Sequence, residues 1–377
     1  MKVVFLADAP YIHTRRWIDH FVAEGFDCDV ISFRPAEIEG ARVHHINGAE
    51  PFGKARYLIH ARRVRQLVHD LQPDLVHALH LTSYGFLGAL SGAHPLIISV
   101  WGTDVLEAPH LTPFHGWLTR YALSHADAIT ATGLHLATET TRYAPRGKPV
   151  TVVPYGVDLE RFAPKNAHPE RRPEPVEGAL EGRDSDDAPF VIGATSRFSP
   201  EKGVRYLVEA FALLRRRLGE RAVLRLAGEG PERAKLEALA RELGVADAVE
   251  FCGWLEHDAL PAFLGSLDVF VLPSTYEGFG VSAVEASAAG LPIVATNVHG
   301  IPDVVRHSVT GLLVAPKDPQ ALADAIASLA DDAPLRQRLG EAGRAYVAKH
   351  YDWHANAAQM DRLYEAVLAL HKVAAGA

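Results

Sequence analysis

One rhythm, sounded twice, constrains this chain more than any other feature. Short runs rich in Val, Ile and Phe alternate with longer stretches of helical periodicity. In the first series the runs lie at 2–7, 29–33, 75–79, 96–100, 128–131 and 150–154, with helical patterns at 14–23, 55–70 and 118–124. In the second they lie at 190–195, 223–227, 249–252, 269–272, 292–295 and 312–314, with helices at 204–218, 232–243, 321–329 and 335–348. Continuous apolar strands are buried on both faces, which calls for parallel sheets covered by helices. The expected architecture is α/β, with two doubly wound Rossmann-like lobes. Length agrees, since 377 residues exceed the roughly 250–300 that one core supports.

Between the two series the pattern breaks. Residues 163–189, APKNAHPERRPEPVEGALEGRDSDDAP, hold Pro, Glu, Arg and Asp and almost nothing to bury. They read as an extended or disordered linker, longer than most connections. The expected division is 1–162 for a first lobe, 163–189 for the linker, 190–350 for a second lobe, and 351–377 for a terminal helix packing back on the first lobe. Open α/β sheets bind ligands at the carboxyl ends of their strands, so a cleft between the lobes is the expected site.

Several function classes drop out early. A net charge of -8 argues against a nucleic-acid partner. Two distant cysteines, Cys28 and Cys252, form neither a disulfide framework nor a metal-ligand pair. The opening MKVVFLADAP lacks the length and cleavage site of a signal peptide, and no run reaches the ~18 apolar residues of a membrane span. The expected location is the cytoplasm. Peripheral contact with the inner membrane face stays open, because the helix at 54–70 carries Lys54, Arg56, Arg62, Arg63 and Arg65. An ordinary solvated helix face explains those charges more simply.

The sharpest chemical signal is YEGFGVSAVEASAAGLPIVAT. Glu277 and Glu285 flank Gly278 and Gly280, behind the strand at 269–272. Glycines let backbone approach a ligand, and a helix starting near Ser282 aims free N–H groups at the same point. A carboxylate can accept two hydrogen bonds from a vicinal diol, so the two glutamates could hold two sugar rings of one ligand. A helix start with two solvated glutamates is the alternative. In TSRFSPEKGV, Arg197 and Lys202 stand at a loop-to-helix junction after the first strand of the second lobe, and suit a diphosphate whose charge grows as it leaves. Gly228 and Gly230 in AGEGPER fit a phosphate loop and a plain strand-to-helix turn equally well.

The second lobe resembles glycosyltransferase family 4 over SRFSPEKG, AGEGPER, FCGWL, LPSTYEGFGVSAVEASAAGLPIVAT, HGIPDVV, GLLV and the terminal YDW, nearly all of 190–377. IHTRRWIDHF and SVWGTDV in the first lobe are similar to a subset of that family. The resemblance implies the GT-B fold, with an interdomain cleft and a C-terminal crossover helix after Trp353. The implied activity is retaining transfer of a sugar from a nucleotide-diphosphate donor to an unidentified acceptor, with no metal or other cofactor. By the same resemblance, Arg197 and Lys202 grip the diphosphate and Glu285 binds the ribose. Glu277, with the backbone of Gly278, Phe279, Gly280 and Val281, contacts the sugar. Gly228 joins the donor contacts, Trp254 and Leu255 line the nucleobase, and Asp104 of WGTD is a catalytic cleft residue.

The chain also departs from the family's pattern. Its first strand-to-helix loop, residues 7–13, has no glycine, so His13 and Arg16 either replace that phosphate contact or face the acceptor. Trp101 stands where some relatives carry a histidine. Asp-x-Asp in the tract at 184–187 is a pattern of metal-dependent sugar transferases, but no strand fixes it and no metal site is expected there. A nucleotide-sugar epimerase and a non-catalytic sugar-binding protein are the competing readings. A dinucleotide oxidoreductase is weaker, since neither lobe opens with Gly-x-Gly-x-x-Gly.

Overall fold

The computed structural model describes residues 1–47, 56–164 and 189–376. Most of the stretch read as a linker, residues 165–188, lies outside them, as does the Asp-x-Asp tract. The chain forms two compact units: Met1–Pro154 together with Ala355–Ala377, and Tyr155–His354.

The strands of the first unit are β1 (Lys2–Leu6), β2 (Asp27–Ser32), β3 (Ala41–His45), β4 (Leu75–Leu79), β5 (Leu96–Val100), β6 (Ala128–Ala131) and β7 (Val150–Val152). They make one parallel seven-stranded sheet, ordered β3-β2-β1-β4-β5-β6-β7. Val3, Val4, Phe5 and Leu6 are all fully buried, as a strand covered on both faces requires. Strand β3 falls outside the sequence-derived set. It is an edge strand reading ARVHH, and its polar residues have a local purpose: Arg42 and His44 both bond the fully buried Asp29 of β2. Burial pushes the Asp29 carboxyl up, but hydrogen bonds and charge from Arg42 and His44 outweigh it and hold the group below its usual range.

In place of one helix at 55–70 there are two, Arg56–Ile59 and Ala61–Leu71, broken at His60, whose ring lies against Phe33. Lys54 lies outside the described residues, while Arg62, Arg63 and Arg65 are exposed. No described helix is long and apolar enough to cross a membrane.

The long terminal helix, Trp353–Gly376, belongs to the first unit from Ala355 onward. Tyr364 anchors it there. Its ring is fully buried and stacks on Phe21 at 4.6 Å and 7°. Its hydroxyl bonds His77 Nδ1 at 2.5 Å, and His77 Nε2 continues the chain to Ser99 Oγ at 2.7 Å and on to Thr130 at 2.6 Å. Asp361 adds a bond to His20 at 3.0 Å.

The second unit holds β8 (Phe190–Thr195), β9 (Ala222–Ala227), β10 (Val249–Gly253), β11 (Val269–Leu272), β12 (Ile293–Thr296) and β13 (Gly311–Val314). These form a parallel six-stranded sheet, ordered β10-β9-β8-β11-β12-β13. The helix Val204–Leu218 buries Val204, Leu207, Val208, Phe211 and Leu214, the i, i+3, i+4, i+7 stripe of an amphipathic helix. Strand order reverses between β8 and β11, so the loops that follow those two strands emerge side by side. That reversal is where open α/β sheets bind ligands.

Candidate functional site

Two loops meet at the reversal point of the second sheet. The loop after β8 runs through Arg197 to a short turn, Pro200–Lys202, and the loop after β11 runs through Ser274 to Glu277. They are stitched together by backbone: the N–H groups of Thr275 and Tyr276 both donate to the carbonyl of Glu201, at 2.8 and 3.2 Å. Gly203 permits this approach. Its φ is +63°, and a Cβ there would fall 2.1 Å from the carbonyl oxygen of Pro273.

The stitching delivers Lys202 to Glu277, with Nζ donating to Oε2 at 2.8 Å. The side chains are only 27% and 13% exposed, so this pair is shielded well beyond a surface ion pair. The buried Ser274 hydroxyl donates to the same oxygen at 3.3 Å. Arg197 is exposed on the first of these loops. Its charge still acts locally. Burial raises the pKa of Glu201, but the Ser199 hydroxyl, a backbone N–H, Lys202 and Arg197 together hold it below the usual carboxylate range.

Gly280 sits left-handed at the start of the helix Val281–Ala288, with no side-chain cap. The Ala283 and Val284 N–H groups donate back to the Gly280 carbonyl at 3.0 and 3.2 Å, and the N–H groups ahead of them have no carbonyl to reach within the helix. Phe279 turns its ring inward, 3% exposed, against Tyr155 and Tyr351, so the loop offers a ligand its backbone rather than that ring. Glu285 lies one turn into the helix and accepts from His257 Nε2 at 3.3 Å. His257 follows Trp254 and Leu255; the Trp254 ring is 67% exposed and Leu255 is half-buried.

Gly228 and Gly230 let AGEGPER lie against the Arg197 loop, because Cβ atoms there would fall 1.8 Å from Ser196 O and 2.4 Å from Phe198 O. The Gly228 N–H donates to Gly253 O at 2.7 Å. Asp104 is fully buried. Its carboxylate accepts from the N–H groups of Leu81 at 2.8 Å, Gly102 at 2.7 Å and Trp101 at 3.1 Å. It clamps two loops at the strand ends of the first sheet, next to His80, whose φ of 90° is strained for a residue with a side chain. His13 lies in the first turn of the helix Ile12–Ala23, its ring 5.3 Å from Tyr11 and 6.4 Å from Trp101, and Arg16 is half-buried on the same helix.

Sequence reasoning missed two partners. Ser274 stands three residues before Glu277 and could have been read from LPSTYEGFG; His257 has no distinctive spacing and emerges only in three dimensions. Among the described residues no group of three or more His, Cys, Asp or Glu converges as metal ligands.

Known proteins resemble this chain along most of its length. A family model described as Glycosyl transferases group 1 matches residues 181–346, and one described as Glycosyl transferase 4-like matches residues 2–133. The chain is 38% identical, over 215 residues, to the GDP-mannose-dependent alpha-(1-6)-phosphatidylinositol monomannoside mannosyltransferase of Mycobacterium tuberculosis. That match covers 55% of this chain and 54% of the relative, so the chain spans about half the length of that curated protein. It is 31% identical to the MMP alpha-(1->4)-mannosyltransferase of Mycolicibacterium hassiacum, over 84% of this chain and 74% of that protein. Among solved structures, sucrose-phosphate synthase from Thermosynechococcus elongatus superposes with a TM-score of 0.83 at 23% identity, covering 98% of this chain and all of that one. The fold is GT-B, and the chain belongs to the family 4-like glycosyltransferases.

Proposed function

We propose that this chain is a retaining glycosyltransferase that moves a sugar from a nucleotide diphosphate to an acceptor without a bound metal. The observation that carries the proposal is the 2.8 Å contact between Lys202 and Glu277, side chains from two separate loops at one sheet edge. In the free protein each neutralises the other. An incoming diphosphate competes for the ammonium and frees the Glu277 carboxylate for sugar hydroxyls. The backbone of Gly278, Phe279, Gly280 and Val281 lies beside them, and the helix behind Gly280 presents its positive end.

As the glycosidic bond breaks, negative charge gathers on the leaving phosphate, and Arg197 and Lys202 stabilise it where a metal-dependent enzyme would use a cation. Glu285 binds the ribose, and Trp254 with Leu255 flanks the base. His13 and Arg16 serve the acceptor side. Same-face attack, with the leaving phosphate taking the acceptor proton, accounts for retention without a carboxylate nucleophile. The relatives named above are transferases and a synthase, so an epimerase is not carried further. The name of the Mycobacterium tuberculosis relative makes GDP-mannose the first donor to test.

The experiment measures donor turnover against an acceptor panel, with the product's anomeric configuration read by NMR. Arg197→Ala and Lys202→Ala are expected to lower kcat by about 10²-fold with little change in KM, because their contacts tighten as charge develops. Glu285→Ala is expected to raise KM by roughly tenfold and spare kcat. Turnover should survive a chelator. Unchanged kinetics in all three variants, or an inverted product, sinks the assignment.

A further inference from the structure

The carboxylate of Glu285 is oriented from outside its own helix. Its Oε1 accepts from His257 Nε2 at 3.3 Å, and a carboxylate oxygen can only accept, so the ring nitrogen is the donor. Glu285 is 13% exposed and His257 30%.

His257 is itself braced. Phe162, 1% exposed, meets its ring edge-on at 5.6 Å and 66°. Arg161 pairs with the neighbouring Asp258. The brace is locally rigid: the Asp158 carboxylate accepts from the N–H groups of Glu160 and Arg161, each at 3.0 Å, and the Asp158 carbonyl accepts from the Phe162 N–H at 3.1 Å. A line of contacts thus runs from the Asp158 turn, through Phe162 and His257, to Glu285.

We infer that His257 is a positioning residue for nucleotide binding: it presets the Glu285 carboxylate so that the two hydroxyls of a ribose meet lone pairs already facing them. The inference rests on the reading of Glu285 as the ribose acid. A glutamate side chain has three torsions to freeze, and fixing them before the ligand arrives moves that cost out of the binding step. His257 touches the acid and not the sugar, so its loss weakens recognition of the diol while leaving the diphosphate contacts intact.

The test is isothermal titration of the full chain with UDP and GDP, each alongside its 2′,3′-dideoxy counterpart. The ratio of the two affinities reports the diol alone. His257→Leu is expected to weaken the ribonucleotide about tenfold and leave the dideoxy form unchanged. His257→Gln, whose side-chain amide donates from nearly the same point, restores the wild-type ratio. His257→Asn, which is too short to reach, does not restore it, and this pair carries the test should the Leu variant fail to fold. If Glu285→Ala abolishes the ratio while His257→Leu and His257→Asn preserve it, the positioning role is overturned and the ribose assignment stands. If Glu285→Ala also preserves it, the ribose assignment itself is overturned.

Discussion

Gly92 and Gly203 share almost one backbone conformation, φ 70° with ψ 15° and φ 63° with ψ 16°. Their surroundings differ completely. A Cβ on Gly92 would meet nothing within 4 Å, whereas one on Gly203 would sit 2.1 Å from Pro273 O. Alanine at either position pays the left-handed cost of about 1–2 kcal/mol. Only Gly203→Ala must also push the Lys202 turn away from the loop that carries Glu277. The expected result is a modest fall in melting temperature for Gly92→Ala with wild-type nucleotide affinity. Gly203→Ala should show a larger fall and at least tenfold weaker binding of a nucleoside diphosphate by titration. Equal affinity in the two variants would mean that the stitching of the loops is irrelevant to the site.

At the scale of elements, the terminal helix is tied into the first unit by a fully buried polar chain, Tyr364 to His77 to Ser99 to Thr130. Burial pushes the His77 pKa down to about 3 from an ordinary 6.5, so the ring is neutral when folded at neutral pH. The unfolded chain therefore binds a proton that the folded chain does not as pH falls below 6.5, and stability from this group, complete above that value, is lost progressively toward pH 3. Wild-type protein should show a falling urea midpoint between pH 7 and pH 5, and His77→Gln should flatten that slope. Tyr364→Phe leaves His77 Nδ1 without its partner and should cost about 1–3 kcal/mol at neutral pH. This network was not legible in the sequence, because the side chains that meet are 287 residues apart and a polar residue within an apolar run reads only as an interruption. The strands themselves were legible where burial on both faces leaves no choice of residue, as in FVIGAT and VFVL. Strand β3 escaped because an edge strand tolerates Arg42 and His44. In the site, the loops of Lys202 and Glu277 could be assigned to one sheet edge from their motifs, whereas the pairing of the two side chains follows from β8 and β11 being neighbours in the sheet. His257 could not, because nothing in a short turn marks which helix it faces.

On the scale of the whole molecule, each unit has its own hydrophobic core, one around Leu207, Phe211 and Ile326, the other around Val4, Val76 and Ile98. Separate cores can open separately, so a single melting temperature is a poor reporter of where a ligand binds. Hydrogen exchange resolves the question by segment. A ligand that binds only the folded form at 100 times its Kd adds about 2.7 kcal/mol against opening, close to a hundredfold slowing for amides that exchange through the liganded element. With a nucleoside diphosphate at that concentration, slowing should concentrate in the loops 195–203 and 273–280 and in the helix Val281–Ala288. Amides of β1, β4 and β5 should keep their free-protein rates, since the proposed contacts to the donor's phosphates and ribose come from the second unit's side chains. Lys202→Ala should shrink the protection in all three segments together, because they are joined through Glu201, Glu277 and Gly280. Protection confined to residues 7–12 and 101–104 of the first unit would place the nucleotide on the wrong sheet and reverse the assignment of donor and acceptor sides.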